Sequence, residues 1–138
     1  MKRTFLRNQS GAAAVEFGLV APILTVLLIG VATYGGTILA YNKMRMAVSS
    51  GAQYAMTVGD STNAISTVVT AAWPNKPGSG VVNVTQQCLC GATVTDCTTN
   101  CADGDYPQKF TTINASMTYA GFAGSSKAIS VNEKVRTR

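Results

Sequence analysis

The stretch GAAAVEFGLVAPILTVLLIGVATYGGTILAYNKMR, residues 11–45, determines how the rest of the chain is organised. Residues 17–42 carry no charged side chain, and as a helix they would span roughly 39 Å, which exceeds the ~30 Å of bilayer hydrocarbon. We therefore predict a transmembrane helix over residues 17–42. Glu16 is the exception, because a carboxylate at the edge of hydrocarbon is costly unless a partner neutralises it.

The charges around this run predict its orientation. Three basic residues precede it and two follow it: Lys2, Arg3, Arg7, Lys43 and Arg45. Residues 1–45 carry five basic groups and one acidic group, net +4, whereas residues 46–138 carry six basic and five acidic groups, net +1. The positive-inside rule then keeps the N-terminus in the cytoplasm and places the rest outside it. The remainder has no nucleic-acid-binding footprint.

Hydrophobic periodicity predicts an α+β fold. Beyond Lys43, small and apolar residues recur every three or four positions, so the first helix should continue to about residue 58 with one apolar stripe. The members of this stripe are Met44, Ala47, Val48, Gly51, Ala52, Tyr54, Ala55 and Val58. A second helix follows, capped by Asp60 or Ser61 and ended by Pro74. Alternating β-branched residues then predict three strands, from Val81 and over residues 109–119 and 128–137, which should form an antiparallel meander. Residues 91–106 are expected to be an irregular loop.

Four cysteines lie close together in the second half of the chain: Cys88, Cys90, Cys97 and Cys101. An even number of cysteines in so small a domain favours disulfides and an oxidising compartment. Nested pairing, Cys88–Cys101 with Cys90–Cys97, is preferred because it suits a hairpin-like loop. Crossed pairing stays open, since the spacing does not choose between the two. A zinc site is the other reading, but this is not a usual zinc spacing.

The composition argues against an enzyme. The chain has no histidine, which removes the commonest general base and metal ligand. It also lacks a nucleophile elbow and a phosphate-binding glycine loop. We therefore expect no catalytic residue, no metal site and no cofactor.

The segment GAAAVEF, from Gly11 to Phe17, resembles the processing site of type IV prepilin-like proteins, and the wider stretch of residues 11–30 resembles TadE-like pseudopilins of the Tad (tight adherence) system. The cysteine cluster and the strand after it also resemble that family's C-terminal half. The resemblance implies cleavage between Gly11 and Ala12. It makes Glu16 the fifth residue of the mature chain, followed by Phe17, as the processing and assembly motif. Ala12 stands where many pilins have an N-methylated phenylalanine, so methylation is not carried over.

The resemblance also implies a type IV pilin-like fold in three parts. These are a cleaved leader (residues 1–11), a long helix (residues 12–58) and a periplasmic domain (residues 59–138) with a disulfide-stapled loop (residues 88–101). The implied function is a minor pilin or pseudopilin that assists pilus assembly and surface adhesion.

The implied location is the bacterial inner membrane, with incorporation into the extracellular pilus as a further expectation. The implied partners are the Tad prepilin peptidase, other pilin and pseudopilin subunits, and the inner-membrane assembly platform. The alternative is an unprocessed, membrane-anchored periplasmic binding module stabilised by disulfides or zinc.

Overall fold

A computed structural model describes residues 10–58, 61–121, 124 and 126–137. Two helices precede four strands, and the elements in chain order are α1 (Ser10–Thr57), α2 (Thr62–Ala72), β1 (Val81–Cys90), β2 (Thr93–Thr95), β3 (Gln108–Ala120) and β4 (Ser126–Arg136). The predicted α+β architecture of a long apolar helix, a second helix and an antiparallel sheet is confirmed. The leader and Asp60 lie outside the described residues.

The chain divides into two compact units, Met1–Gly36 and Thr37–Arg138, and α1 contributes residues to both. The described part of the first unit is the N-terminal half of α1, which from Phe17 onward is apolar around its whole circumference and continues through Pro22. Its side chains are mostly exposed, Phe17 by 70% and Val31 by 70%. A helix that is apolar all round meets the requirement for a lipid-facing segment.

The sheet of the second unit has the strand order β2-β1-β3-β4, with every neighbouring pair antiparallel. It contains four strands where three were expected, because Thr93–Thr95 pairs with the end of β1. Gly91, with a φ of 62°, opens the two-residue turn between Cys90 and Thr93. Glycine adopts this left-handed conformation without steric cost, so the chain can fold straight back. The predicted loop therefore begins with a hairpin.

The core of the second unit lies between the two helices and one face of the sheet. The predicted stripe on α1 is confirmed over most of its length, and the buried members are Met44, Ala47, Val48, Gly51, Ala52 and Ala55. They pack with Ile65 and Val69 of α2 and with Ile113 and Ala115 of β3. Val58, the last predicted member of the stripe, is 73% exposed. The burial of this apolar stripe stabilises the C-terminal part of α1 more than the intrinsic helix propensity of its residues does.

Trp73 lies at the C-terminal end of α2 and packs against the core. It is 4% exposed and its backbone N–H bonds to the Thr70 carbonyl, which ends the helix one residue before Pro74. Ser61 occupies the N-cap position of α2, but its side chain makes no capping hydrogen bond.

Candidate functional site

The residues of the predicted processing motif lie in the first turns of α1. Gly11 and Ala12 directly follow Ser10, the first residue of α1 that the structure describes, and both are exposed. The bond between Gly11 and Ala12 therefore joins two exposed residues of α1.

Glu16 is exposed and stands one helical turn after Ala12. Positions four apart share one face of a helix, so Ala12 and Glu16 lie on the same side. Gly11 and Glu16, five apart, are on largely opposite sides. The carboxylate is followed at once by an apolar surface that begins with Phe17. The motif thus combines exposed small residues with one acid at the edge of an apolar segment.

The helix that follows is long and apolar enough to cross a membrane. Within Gly11–Thr57 the best window has a mean hydropathy of 2.3, and none of that window is buried in the fold. The hydroxyl of Thr25 donates a hydrogen bond to the carbonyl oxygen of Ala21, and the hydroxyl of Thr33 donates one to the carbonyl oxygen of Ile29. The oxygen–oxygen distance is 2.8 Å in each case. Polar groups bonded inside the helix are compatible with hydrocarbon, where no water is present to receive them.

The four cysteines form two disulfides, Cys88–Cys97 and Cys90–Cys101. This is the crossed arrangement, so the preferred nested pairing is wrong. The hairpin provides the reason, because β2 runs antiparallel to β1 and pairs Cys88 with Thr95. The chain that leaves Thr95 moves past Cys88 and away from Cys90, so Cys97 reaches Cys88 first. The turns after it bring Cys101 back to Cys90.

Since all four thiols are oxidised, the cysteines provide no zinc ligands. Within the described part of the chain, no group of three or more histidine, cysteine or acidic residues is placed to hold a metal ion. Of the two forms of the alternative, a binding module stabilised by disulfides or by zinc, the observed bonds correspond to the disulfide form.

A groove of about 510 Å³ lies in the second unit and is a feature that the sequence did not predict. One wall is a stripe on α1, made by Tyr41, Arg45 and Ser49 at intervals of four residues. The other wall is residues 130–133, four consecutive positions of β4. Successive strand residues point to opposite faces, so the groove follows the backbone edge of β4 rather than one face of the sheet.

The N-terminal part of the chain matches a protein family. Residues 11–53 match the model of the family described as TadE-like protein, which confirms the resemblance drawn from the N-terminal stretch. The resemblance of the cysteine cluster and the strand after it lies outside the matched residues. The matched segment begins at Gly11 and covers the apolar run and the first part of the helix that packs on the sheet. No curated protein and no solved structure matches the chain.

Proposed function

We propose that this chain, TadE-like over residues 11–53, is a minor pilin or pseudopilin of a Tad-type pilus that is cleaved after Gly11 and assists pilus assembly and surface adhesion. The observation that carries the proposal is that the GAAAVEF motif directly adjoins the apolar run of a membrane-capable helix and that the family match begins at its first residue, Gly11. The role is structural and needs no catalytic residue.

Before cleavage, the basic leader would hold Gly11 at the cytoplasmic face, within reach of a Tad prepilin peptidase. Cleavage would create a positively charged amine on Ala12. It would also place Glu16 near the new helix N-terminus, where the helix dipole favours a carboxylate. The amine of a neighbouring subunit would then pair with Glu16 and set the stagger between packed helices, as a buried polar group sets register in a coiled coil.

The membrane helix would anchor the chain before assembly, with the N-terminus cytoplasmic and the sheet domain periplasmic. Two disulfides in that domain support an oxidising destination. The partners would be the peptidase, other pilin and pseudopilin subunits, and the inner-membrane assembly platform. The chain could then leave the membrane as a component of the extracellular pilus.

The mature N-terminus tests this proposal. When the full chain is co-expressed with a Tad prepilin peptidase, Edman or mass-spectrometric sequencing should find Ala12 as the first residue. A Gly11→Leu variant should keep the leader, because the residue before the cleaved bond would then have a bulky side chain in place of a hydrogen atom. Gly18→Leu is the matched control and should still be cleaved. Retention of Met1 in the unaltered chain would favour the unprocessed binding module instead.

A further inference from the structure

The sheet of this protein has two different outer strands, β2 and β4. An outer strand presents backbone N–H and C=O groups that can pair with another strand. The outer edge of β4 faces the groove, because residues 130–133 line it consecutively and Arg45 stands on the opposite wall. The groove is therefore shaped for an extended segment that would lie between α1 and β4 and hydrogen-bond to β4.

The middle of β4 carries little of the protection that natural edge strands use. Lysine and proline are the usual blocking residues, yet neither occurs between Lys127 and Lys134. The one charge in this interval is Glu133, which pairs with the buried Ile113 of β3 and is itself half-buried. This part of the edge is open to pairing.

The other outer strand has the complementary properties. Its central residue, Val94, is 65% exposed, and Thr93 beside it is exposed as well. Residues 88–107 around β2 contain Asp96, Asp103 and Asp105 and no basic residue. In the groove itself Arg45 on α1 faces Glu133 on β4. Strand β4 as a whole is basic, since it carries Lys127, Lys134 and Arg136 against that one acid.

We propose that β2 of one copy docks into the α1–β4 groove of a second copy and extends its sheet by one strand. The inference rests on the proposed assembly function and assigns it a contact in the sheet domain. Backbone pairing would supply the register, Val94 would enter the groove, and Asp96 would approach Arg45. Because the two edges differ, the contact is heterologous, and each copy keeps one free edge for the next.

The short length of β2 limits the strength of this contact. Three residues form few backbone hydrogen bonds, so free domains should associate weakly. Anchoring two copies in one membrane raises their effective concentration and makes the second contact nearly intramolecular. The contact therefore suits an assembly that forms only where the chains are already gathered.

Site-specific photocrosslinking of the full chain in membrane vesicles tests the proposal. The photoreactive residue p-benzoylphenylalanine replaces Asn132 in the groove, and the same residue at Asn83 of β1, an exposed position away from either edge, is the matched control. The expected result is a ladder of crosslinked copies from position 132, with the crosslinks mapped to residues 93–96. Absence of the ladder, crosslinks to another region of a second copy, or capture of a different protein would overturn it.

Charge variants supply a second readout. Asp96→Lys should lower the crosslinked fraction about tenfold, because a lysine would face Arg45. Asp96→Asn keeps the side-chain oxygen that accepts from the Thr98 N–H and should lower it less. Combining Asp96→Lys with Arg45→Glu should restore the ladder, and failure of this restoration counts against the register.

The proteins from both experiments are sequenced from the N-terminus. A start at Ala12 without a ladder would refute the docking alone, whereas a retained leader would refute the proposed processing.

Discussion

Gly51 shows at the scale of one residue how α1 and α2 come together. A Cβ built on Gly51 would overlap Cγ2 of Val69 and would lie 3.4 Å from Cδ1 of Ile113. Hydrogen at this position allows the two helices and the sheet to meet at one point of the core. The periodicity of the sequence placed Gly51 on the buried stripe, but only the packing explains why the residue is glycine.

We predict that Gly51→Ala lowers the free energy of unfolding by about 1–2 kcal/mol, since overpacking outweighs the gain in helix propensity. Chemical unfolding of the full chain in detergent, followed by the fluorescence of Trp73, the one tryptophan, measures this change. Gly35→Ala is the control, because among the described residues no atom lies within 4 Å of a Cβ at that position. Equal stability of the two variants would show that Val69 does not pack against Gly51.

The sequence predicts that the four cysteines form two disulfides, but it does not predict which cysteines are joined. Cysteine count and domain size were sufficient for the bonds. The connectivity depends on the hairpin at Gly91, which carries Cys97 past Cys88. A three-residue strand is too short to produce a periodic signal, so this information was missing.

Peptide mapping under non-reducing conditions should find Cys88 joined to Cys97 and Cys90 joined to Cys101. Replacing either pair with alanine should lower the free energy of unfolding by about 2–3 kcal/mol, since each bond closes a loop of similar length. The Cys88/Cys97 pair should cost more, because Cys88 is 2% exposed and contributes to packing. Recovery of a Cys88–Cys101 peptide would contradict the hairpin.

At the scale of elements, the helices and the three long strands follow from periodicity. The predicted strand over residues 109–119 is β3, Gln108–Ala120, which carries the buried Ile113 and Ala115. The groove beside β4 could not be predicted in this way. It arises from the order of strands in the sheet and from the position of α1 along one edge, which are properties of tertiary structure.

A substitution at Glu16, in the N-terminal part of α1, should distinguish the membrane-anchoring role of the helix from its role in assembly. Glu16→Gln keeps the size of the side chain and removes its charge, so membrane insertion and cleavage to Ala12 should be unchanged. Assembly into filaments should fall about tenfold or more, because the Ala12 amine of a neighbour would lose a charge-assisted partner. Counting pili by electron microscopy measures this effect.

Asp103→Asn makes the same chemical change on an exposed loop and should leave piliation intact. Normal piliation with Glu16→Gln would remove the assigned role of the carboxylate.

At the scale of the whole molecule, the basic residues around the apolar run and the oxidation state of the cysteines should indicate the same membrane topology. If the positive-inside rule sets the orientation, the domain with the four cysteines is exported and its thiols are oxidised. Gel-shift analysis with a maleimide polymer should then find no free thiol in the unaltered chain recovered from cells. Replacing Lys2, Arg3 and Arg7 with glutamine leaves the two basic residues after the apolar run in excess. This change should retain part of the population with its domain in the cytoplasm.

That inverted population should show four free thiols, because cytosolic glutathione and thioredoxin keep cysteines reduced. Replacing Lys109, Lys127 and Lys134 with glutamine changes the net charge equally but leaves the membrane flanks intact, so this control should remain fully oxidised. Free thiols in both variants would indicate that the substitutions disturb the sheet domain itself. Full oxidation in both would mean that the leader charges do not set the orientation, and the membrane helix would have to be oriented by the sequence after residue 16.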